Sequence, residues 1–175
     1  MVEERAPASV SKPHIRPATE ADWPQLHDLV VEVATAGETY AMDVPASLEE
    51  TRDFWAGDHL VVAVEGDTLL GAAKMGPNRP AQGSHIGTAS FMVGAAARGR
   101  GIGRALGEYA VDWHRAHGFR GIQFNAVVST NTAAVRLWES LGFEIVGTVP
   151  DAFRLPSGEY ADLHVMYLRM KDSPA

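Results

Sequence analysis

Glycine and arginine are concentrated in one short segment that closely follows an apolar stretch, residues 89–93. The segment comprises Arg98, Gly99, Arg100, Gly101, Ile102, Gly103 and Arg104. Glycine lets the backbone approach a ligand closely, and the free N–H groups at the start of a helix attract an anion. Arginine side chains bind phosphate oxygens through charge-assisted hydrogen bonds. The spacing therefore predicts a pyrophosphate site at the start of a helix.

Other uses of a glycine-rich segment fit this chain poorly. Glycines that served only to pack a helix against a strand would cost about 1 kcal/mol each relative to alanine. A dinucleotide-binding fold places its glycines in an opening βαβ unit, with an acidic residue on the next strand, where this chain has Gln123 and Asn125. A P-loop requires Gly-Lys-Ser or Gly-Lys-Thr, which does not follow here.

Two segments together resemble the GCN5-related N-acetyltransferase (GNAT) superfamily. Arg98, Gly101 and Gly103 have the spacing of that family's acetyl-CoA signature. Residues 131–143 are similar to its second cofactor segment, in which an asparagine opens a helix that ends in Leu-Gly-Phe. The resemblance covers residues 14–170 and implies an N-acetyltransferase that uses acetyl-CoA as its donor.

The resemblance also implies a fold and a set of cofactor contacts. The fold is α+β, a mixed and mostly antiparallel sheet of six to seven strands with four helices packed on it. In this family a bulge splays the central strand from its neighbour, and the open backbone pairs with the pantetheine amides as an added strand would. The contacts implied here are the backbone of Phe91, Met92 and Val93, the N–H groups of residues 98–104, and the side chains of Asn131 and Trp138.

Trp138 departs from the family pattern, because many members carry a tyrosine there that is thought to protonate the leaving thiolate. An indole N–H donates a hydrogen bond but is not a useful acid near neutral pH. Trp138 can hydrogen-bond the sulfur, pack against the pantetheine arm or fill the core at helical spacing. The general acid is therefore left open, and a CoA-binding module without catalysis is an alternative function.

A narrower resemblance concerns the acceptor. Several short segments, among them Phe124-Asn125 and Leu137-Trp138-Glu139, look like the yeast-type acetyltransferases that act on proline analogues such as azetidine-2-carboxylate. This implies that the acceptor is a small-molecule amine, such as an amino acid or its analogue, and that Asn125 lies in the substrate site. A buried, structural asparagine is the alternative for Asn125, and a protein or peptide amine is the alternative acceptor.

Acetyl transfer to an amine requires a base or a desolvating pocket, because free alkylamines have a pKa of about 10. The candidate bases are Glu38, Tyr40, Asp162 and His164. The chain has no cysteine, which argues against an acyl-cysteine intermediate and favours direct attack of the amine on the thioester. The Val93 amide is a candidate to polarise the carbonyl oxygen. His114 and His117 lack a carboxylate partner, so we expect both to be solvated and predict no metal site.

The composition indicates a globular protein, because 46% of the residues are hydrophobic and 21% are charged. A formal net charge of −7 disfavours nucleic-acid binding, which needs a basic face. No apolar run approaches the roughly 20 residues that span a bilayer, and residues 1–13 lack the apolar core of a secretory signal. We therefore predict a cytoplasmic protein without a membrane partner, and the family resemblance leaves a homodimer open.

Predicted helices and strands position these residues within one domain, residues 14–171, which follows a flexible, polar tail at 1–13. Ser47 has the spacing of a helix cap, the helix after the glycine segment ends at Gly118, and Thr130 or Asn131 opens a shorter helix. Strands are predicted at residues 14–17, 59–64, 68–75, 85–93, 122–127, 143–149 and 160–170.

Overall fold

One mixed sheet organises the fold in a computed structural model that describes residues 13–57 and 59–170. Seven strands lie in the order β1-β2-β3-β4-β5-β7-β6. In chain order they are β1 (His14–Pro17), β2 (His59–Glu65), β3 (Thr68–Pro77), β4 (Ile86–Val93), β5 (Gly121–Val128), β6 (Glu144–Arg154) and β7 (Tyr160–Arg169). Neighbouring strands are antiparallel except β4 and β5, which run parallel. The predicted tail, apart from Pro13, lies outside the described residues.

Four α-helices of the described chain cover the two faces of this sheet. They are α1 (Trp23–Ala36), α2 (Leu48–Trp55), α3 (Ile102–Ala116) and α4 (Thr132–Ser140). Helices α1 and α2 bury Leu26 and Trp55 against one face of β2, β3 and β4. Helix α3 buries Leu106 and Ala110 against the other face, where α4 packs Trp138 on β5 and β7. The predicted fold class is confirmed.

Local sequence signals set the helix boundaries. Ser47 accepts a hydrogen bond from the Glu50 amide and so caps α2. The Asn131 side chain accepts one from the Ala134 amide, so Asn131 is the cap of α4. Gly118, at φ +75°, reverses the chain after α3 in a left-handed conformation that glycine adopts readily. Each cap satisfies backbone groups that the helix itself leaves without partners. In the described part of the chain, no helix is both long and apolar enough to cross a lipid bilayer.

The two central strands separate soon after they meet. Strand β4 pairs with β5 through Ile86 and Gly87 alone among the described residues. The predicted splay is confirmed, but the bulge is not on β4, which keeps a regular register with β3 along the whole described ladder. The register shift lies in β5 instead, between Phe124 and Val127, where β5 faces β7. An extra residue of this kind bends the strand that carries it.

The prediction for one histidine of α3 is wrong. His114 is completely buried, although we expected it to be solvated, whereas His117 is exposed. Leu106, Ala110 and His114 recur at intervals of four, which places all three on the buried face of the helix. The Nδ1–H group of His114 donates a hydrogen bond to the Ala110 carbonyl at 2.7 Å. Burial lowers the pKa of His114, so its imidazole is neutral near pH 7.

Candidate active site

The hydrogen bonds of β4 alternate between its two edges. At the start of the strand the Asn78 amide donates to the Ile86 carbonyl, and just beyond its end the Gly94 amide donates to the Leu70 carbonyl. Even-numbered residues of β4 therefore bond β3. In an antiparallel ladder the residues between them turn their N–H and C=O groups to the opposite edge.

The open edge of β4 consequently belongs to Phe91 and Val93, whose backbone groups face the gap to β5. Met92 lies opposite Ala72 in the ladder, so its backbone is committed to β3 and its side chain is buried in the core under α1. The expected pairing of the pantetheine with the Met92 backbone is therefore wrong. Phe91 and Val93 keep the geometry in which an extended ligand can pair as an added strand.

Tyr40 occupies this open edge. Its hydroxyl donates to the Phe91 carbonyl at 2.7 Å and accepts from the Phe91 amide at 2.9 Å. Tyr40 lies between α1 and α2, and its ring packs against the core that contains Met92. Burial raises the pKa of Tyr40 to about 12, so the phenol stays protonated at neutral pH. A phenol that is protonated and hydrogen-bonded to Phe91 cannot take up the proton of the amine, so this contact disfavours Tyr40 as the base.

The glycine segment gives α3 an open N-terminus. Gly99 and Gly101 have φ angles of +75° and +80°, and apart from the adjacent residues no described heavy atom lies within 4 Å of a Cβ built on either one. Gly101 is the N-cap and offers no side chain to the first turn. The first intrahelical bond runs from the Ala105 amide to the Gly101 carbonyl, so the amides of residues 102–104 have no partner within the helix. An anion can accept hydrogen bonds from these amides.

Two of the backbone amides that we expected to bind the pyrophosphate donate hydrogen bonds to carbonyl groups of the protein instead. The Arg98 amide donates to the Ala95 carbonyl at 3.3 Å, and the Arg100 amide donates to the Ala97 carbonyl at 3.4 Å. The first bond closes the 3-10 turn at Ala95–Ala97, and the second forms the next turn before α3. The contribution of these two residues to an anion site is thus limited to their side chains.

The three arginines of the segment differ in the contacts that their side chains make. Arg100 forms an ion pair with Glu65 at 2.8 Å, and Arg104 donates to the Ser140 hydroxyl at 2.9 Å. Within residues 13–57 and 59–170, the exposed Arg98 side chain makes neither a hydrogen bond nor an ion pair. Arg98 is therefore the guanidinium that can bind a phosphate without breaking an existing contact.

Trp138 belongs to an aromatic cluster that connects β4, β5 and α4. Its ring centroid lies 4.7 Å from that of Phe91 and 4.8 Å from that of Phe124, and Phe124 stacks on Phe143 at 4.3 Å. A Cβ built on Gly107 would lie 2.8 Å from the Trp138 ring, so the glycine allows α3 to approach α4 closely. Trp138 is 7% exposed, which supports a packing role for the indole.

Three amide side chains form a hydrogen-bonded row across the gap. Gln123 Nε2 donates to Asn125 Oδ1 at 2.8 Å, and Asn125 Nδ2 donates to Asn78 Oδ1 at 2.7 Å. Gln123 and Phe124 are consecutive on β5 and so point to opposite faces of the sheet. Because Phe124 packs under α4, this amide row lies on the face that α1 and α2 occupy. Sequence reasoning found Asn125 but missed Asn78, which lies 47 residues away along the chain.

The remaining candidate bases have different surroundings. Glu38 is exposed in the connection between α1 and α2. His164 makes a 2.9 Å hydrogen bond through Nδ1 with the Thr148 hydroxyl, and Asp162 Oδ1 accepts from the Asp151 amide at 3.0 Å. These last two contacts join β6 to β7. Glu38 thus lies in the same connecting segment as Tyr40, whereas Asp162 and His164 stabilise the hairpin formed by β6 and β7.

An extended ligand that carries both amides and a diphosphate can lie along β4 with its phosphates at the start of α3. This is the arrangement of a coenzyme A-dependent acyltransferase. The chain belongs to the acetyltransferase (GNAT) family, whose family model matches residues 22–143. Membership confirms the predicted class, an N-acetyltransferase with acetyl-CoA as donor.

Two proteins named as acetyltransferases are similar to this chain. The chain is 33% identical over 148 residues to the N-acetyltransferase aca1 of Schizosaccharomyces pombe, covering 74% of this chain and 71% of that protein. It is 31% identical over 166 residues to the L-methionine sulfoximine/L-methionine sulfone acetyltransferase of Pseudomonas aeruginosa, covering 89% and 94%. The narrower resemblance to proline-analogue acetyltransferases is not established by these relatives.

Solved structures show the same fold over nearly the whole chain. A GCN5-related N-acetyltransferase from Kribbella flavida is 50% identical, with a TM-score of 0.87 over 91% of this chain and 98% of that one. The acetyltransferase yncA from Salmonella typhimurium, solved with its cofactor acetyl-CoA, is 25% identical, with a TM-score of 0.80 over 94% and 98%.

Proposed function

We propose that this chain transfers the acetyl group of acetyl-CoA to the amine of a small molecule, either an amino acid or an amino-acid analogue. The observation that carries the acceptor class is the amide row of Asn78, Asn125 and Gln123, which lies beside the gap and opposite the α3 face. Amide side chains both donate and accept hydrogen bonds, so they suit a small polar acceptor better than an apolar one. The similar Pseudomonas protein acts on amino-acid analogues, as its name states, which supports this class.

On the donor side, we assign the phosphates to Arg98 and to the amides of residues 102–104, and the pantetheine arm to the open edge at Phe91 and Val93. Asn131 caps α4 and lies on the same side of the sheet as α3. Acetyl-CoA supplies an activated thioester carbonyl. The open glycine positions fit this ligand, since they leave space at the helix start where side chains would project.

On the acceptor side, we assign substrate positioning to Asn125 and general-base catalysis to Glu38. In the overall reaction the amine nitrogen bonds to the carbonyl carbon, the carbon–sulfur bond breaks, and the proton lost by nitrogen passes to a base. Glu38 is a carboxylate in the same connection as Tyr40, which reaches the open edge of β4. A backbone N–H on that edge, such as that of Val93, can stabilise the negative charge that develops on the carbonyl oxygen.

Release of free CoA thiol over a panel of amines tests the proposed acceptor. The panel contains the proteinogenic amino acids, methionine sulfone, methionine sulfoximine, azetidine-2-carboxylate, polyamines and short peptides. We expect saturable release with one or more free amino acids or analogues and only background release with the peptides. Preferential acetylation of the peptides would overturn the small-molecule assignment in favour of a protein acceptor. Release with azetidine-2-carboxylate above all others would establish the narrower resemblance.

A further inference from the structure

Phe91 is the middle of three residues that present backbone groups to the gap. Ala89, Phe91 and Val93 alternate along the open edge of β4, beyond the last pair that Gly87 makes with β5. A ligand that pairs with this edge as an added strand must use the N–H and C=O groups at its centre. Those two groups already bond the same atom, the hydroxyl oxygen of Tyr40, at 2.9 Å and 2.7 Å.

Tyr40 also anchors the connection between α1 and α2, residues 37–47. Tyr40 and Met42 are the two residues of this connection that pack against the core under α1 and α2. Glu38, Asp43 and Ala46 are exposed, whereas Pro45 is buried. The hydroxyl contact with Phe91 is therefore a principal tie between this connection and the centre of the sheet.

We infer that the Tyr40 hydroxyl and the pantetheine arm of the donor compete for the Phe91 backbone, so that donor binding releases the connection at residues 37–47. The inference rests on the proposed function, because it takes the ligand of the open edge to be coenzyme A. One hydroxyl oxygen can satisfy both groups of a single residue, since it donates and accepts at once. A ligand amide that bonds Phe91 leaves no position there for that oxygen.

Competition of this kind links two events that are far apart in sequence. The apparent affinity for coenzyme A is reduced by the fraction of molecules in which Tyr40 sits on Phe91. Bound coenzyme A in turn displaces the Tyr40 hydroxyl from Phe91, so the connection at residues 37–47 loses this contact.

Affinity measurements on a Tyr40→Phe variant test the competition. Titration calorimetry should show coenzyme A binding about threefold to tenfold more tightly to Tyr40→Phe than to the wild type, the range expected for losing a modest competing hydrogen-bond pair. Tyr160→Phe, which removes an exposed hydroxyl at the start of β7, is the matched control and should leave the affinity unchanged. Adenosine 3′,5′-bisphosphate lacks the pantetheine arm, so its affinity should be equal for all three proteins.

Amide hydrogen exchange on the wild-type protein tests the release without any substitution. Saturation with coenzyme A should slow exchange of the Phe91 amide and speed exchange across residues 37–47. Slower or unchanged exchange across residues 37–47, or equal coenzyme A affinity of Tyr40→Phe and wild type, would overturn the inference while leaving the proposed function intact. A wild-type protein that fails to bind coenzyme A would overturn both.

Discussion

The imidazole of His114 lies against the backbone of Gly87, the last residue of β4 that pairs with β5. A Cβ at position 87 would overlap the Cδ2 and Nε2 atoms of the ring. Helix α3, which begins at the glycine segment, is therefore seated on the sheet at the point where the central strands part. One histidine and one glycine thus set how closely the C-terminal end of α3 approaches the base of the gap.

Gly87→Ala should lower the free energy of unfolding by about 3 kcal/mol, because the buried imidazole has no space to move away from the added methyl group. Urea denaturation followed by circular dichroism gives this value. Gly147→Ala is the control, since no described atom lies within 4 Å of a Cβ at that position of β6. Equal stability of the two variants would contradict the close contact between Gly87 and His114.

His114→Gln should weaken the pH dependence of stability between about pH 7.5 and pH 5.5. Burial holds the pKa of His114 below the ordinary histidine value of about 6.5. As the pH falls below this value, His114 binds a proton in the unfolded chain while it stays neutral in the folded chain. The free energy of unfolding of the wild type therefore falls as the pH drops through about 6.5. His59, whose pKa burial and His117 also lower, acts in the same direction, so part of the slope remains.

Denaturation midpoints measured at several pH values within this range report the change. His14→Gln, which alters an exposed histidine of β1, is the control and should keep the wild-type slope. A slope for His114→Gln that matches the wild type would show that His114 does not bind its proton differently in the two states.

Arg98→Ala should weaken coenzyme A binding about tenfold at low salt, as expected for the loss of a charge-assisted hydrogen bond to phosphate. Because Arg98 is exposed, the loss should shrink as salt screens the charge. Arg115→Ala is the control: Arg115 pairs with Asp112 in the last turn of α3, far from its N-terminus. Calorimetric titration at two ionic strengths checks both variants, and equal affinities would remove Arg98 from the donor site.

Asn125→Ala should raise the KM for the amine by about tenfold and change the KM for acetyl-CoA by less than twofold. The substitution removes the central member of the amide row and leaves the α3 face untouched. Asn78→Ala should show a weaker effect of the same kind, because Asn78 orients Asn125. Steady-state kinetics with both substrates varied give the two constants, and equal changes in both would indicate a purely structural asparagine.

Glu38→Gln should lower kcat by about a hundredfold, which is the lower range for loss of a general base. Glu49→Gln, which changes an exposed carboxylate on α2, is the control and should keep the wild-type rate. A Glu38→Gln variant with the wild-type rate would leave proton removal to the pocket or to water.

Short-range signals were sufficient to predict the helices and strands and the open N-terminus of α3 from the sequence. The cap at Asn131, the left-handed Gly118 and the glycines ahead of α3 each depend on neighbours within a few residues. The interval of four that buries His114 was also present in the sequence, and it could have corrected the expectation of a solvated side chain. A cytoplasmic location and a homodimer stay predictions.

Contacts between distant segments could not be predicted from such short-range signals. The bond between Tyr40 and Phe91 spans 51 residues, and it depends on which edge of β4 is open. Which residues face that edge depends on which residues of β4 form the hydrogen bonds to β3. Side-chain patterns do not reveal this, because side chains point to the faces of a sheet and backbone groups point to its edges. The sequence therefore predicted a strand at β4 but not which of its residues, Phe91 or Met92, turns its backbone groups away from β3.

The parting of β4 from β5 leaves an unpaired strand edge in the middle of the protein. Such edges invite pairing with strands of other molecules, and natural proteins usually protect them by covering or interrupting them. Tyr40 protects this one with a single oxygen atom, which caps the central residue of the edge without adding a strand. In the absence of ligand, this contact hinders a strand of another molecule from pairing with the edge. Under the proposed function, the same edge becomes available when the donor displaces Tyr40.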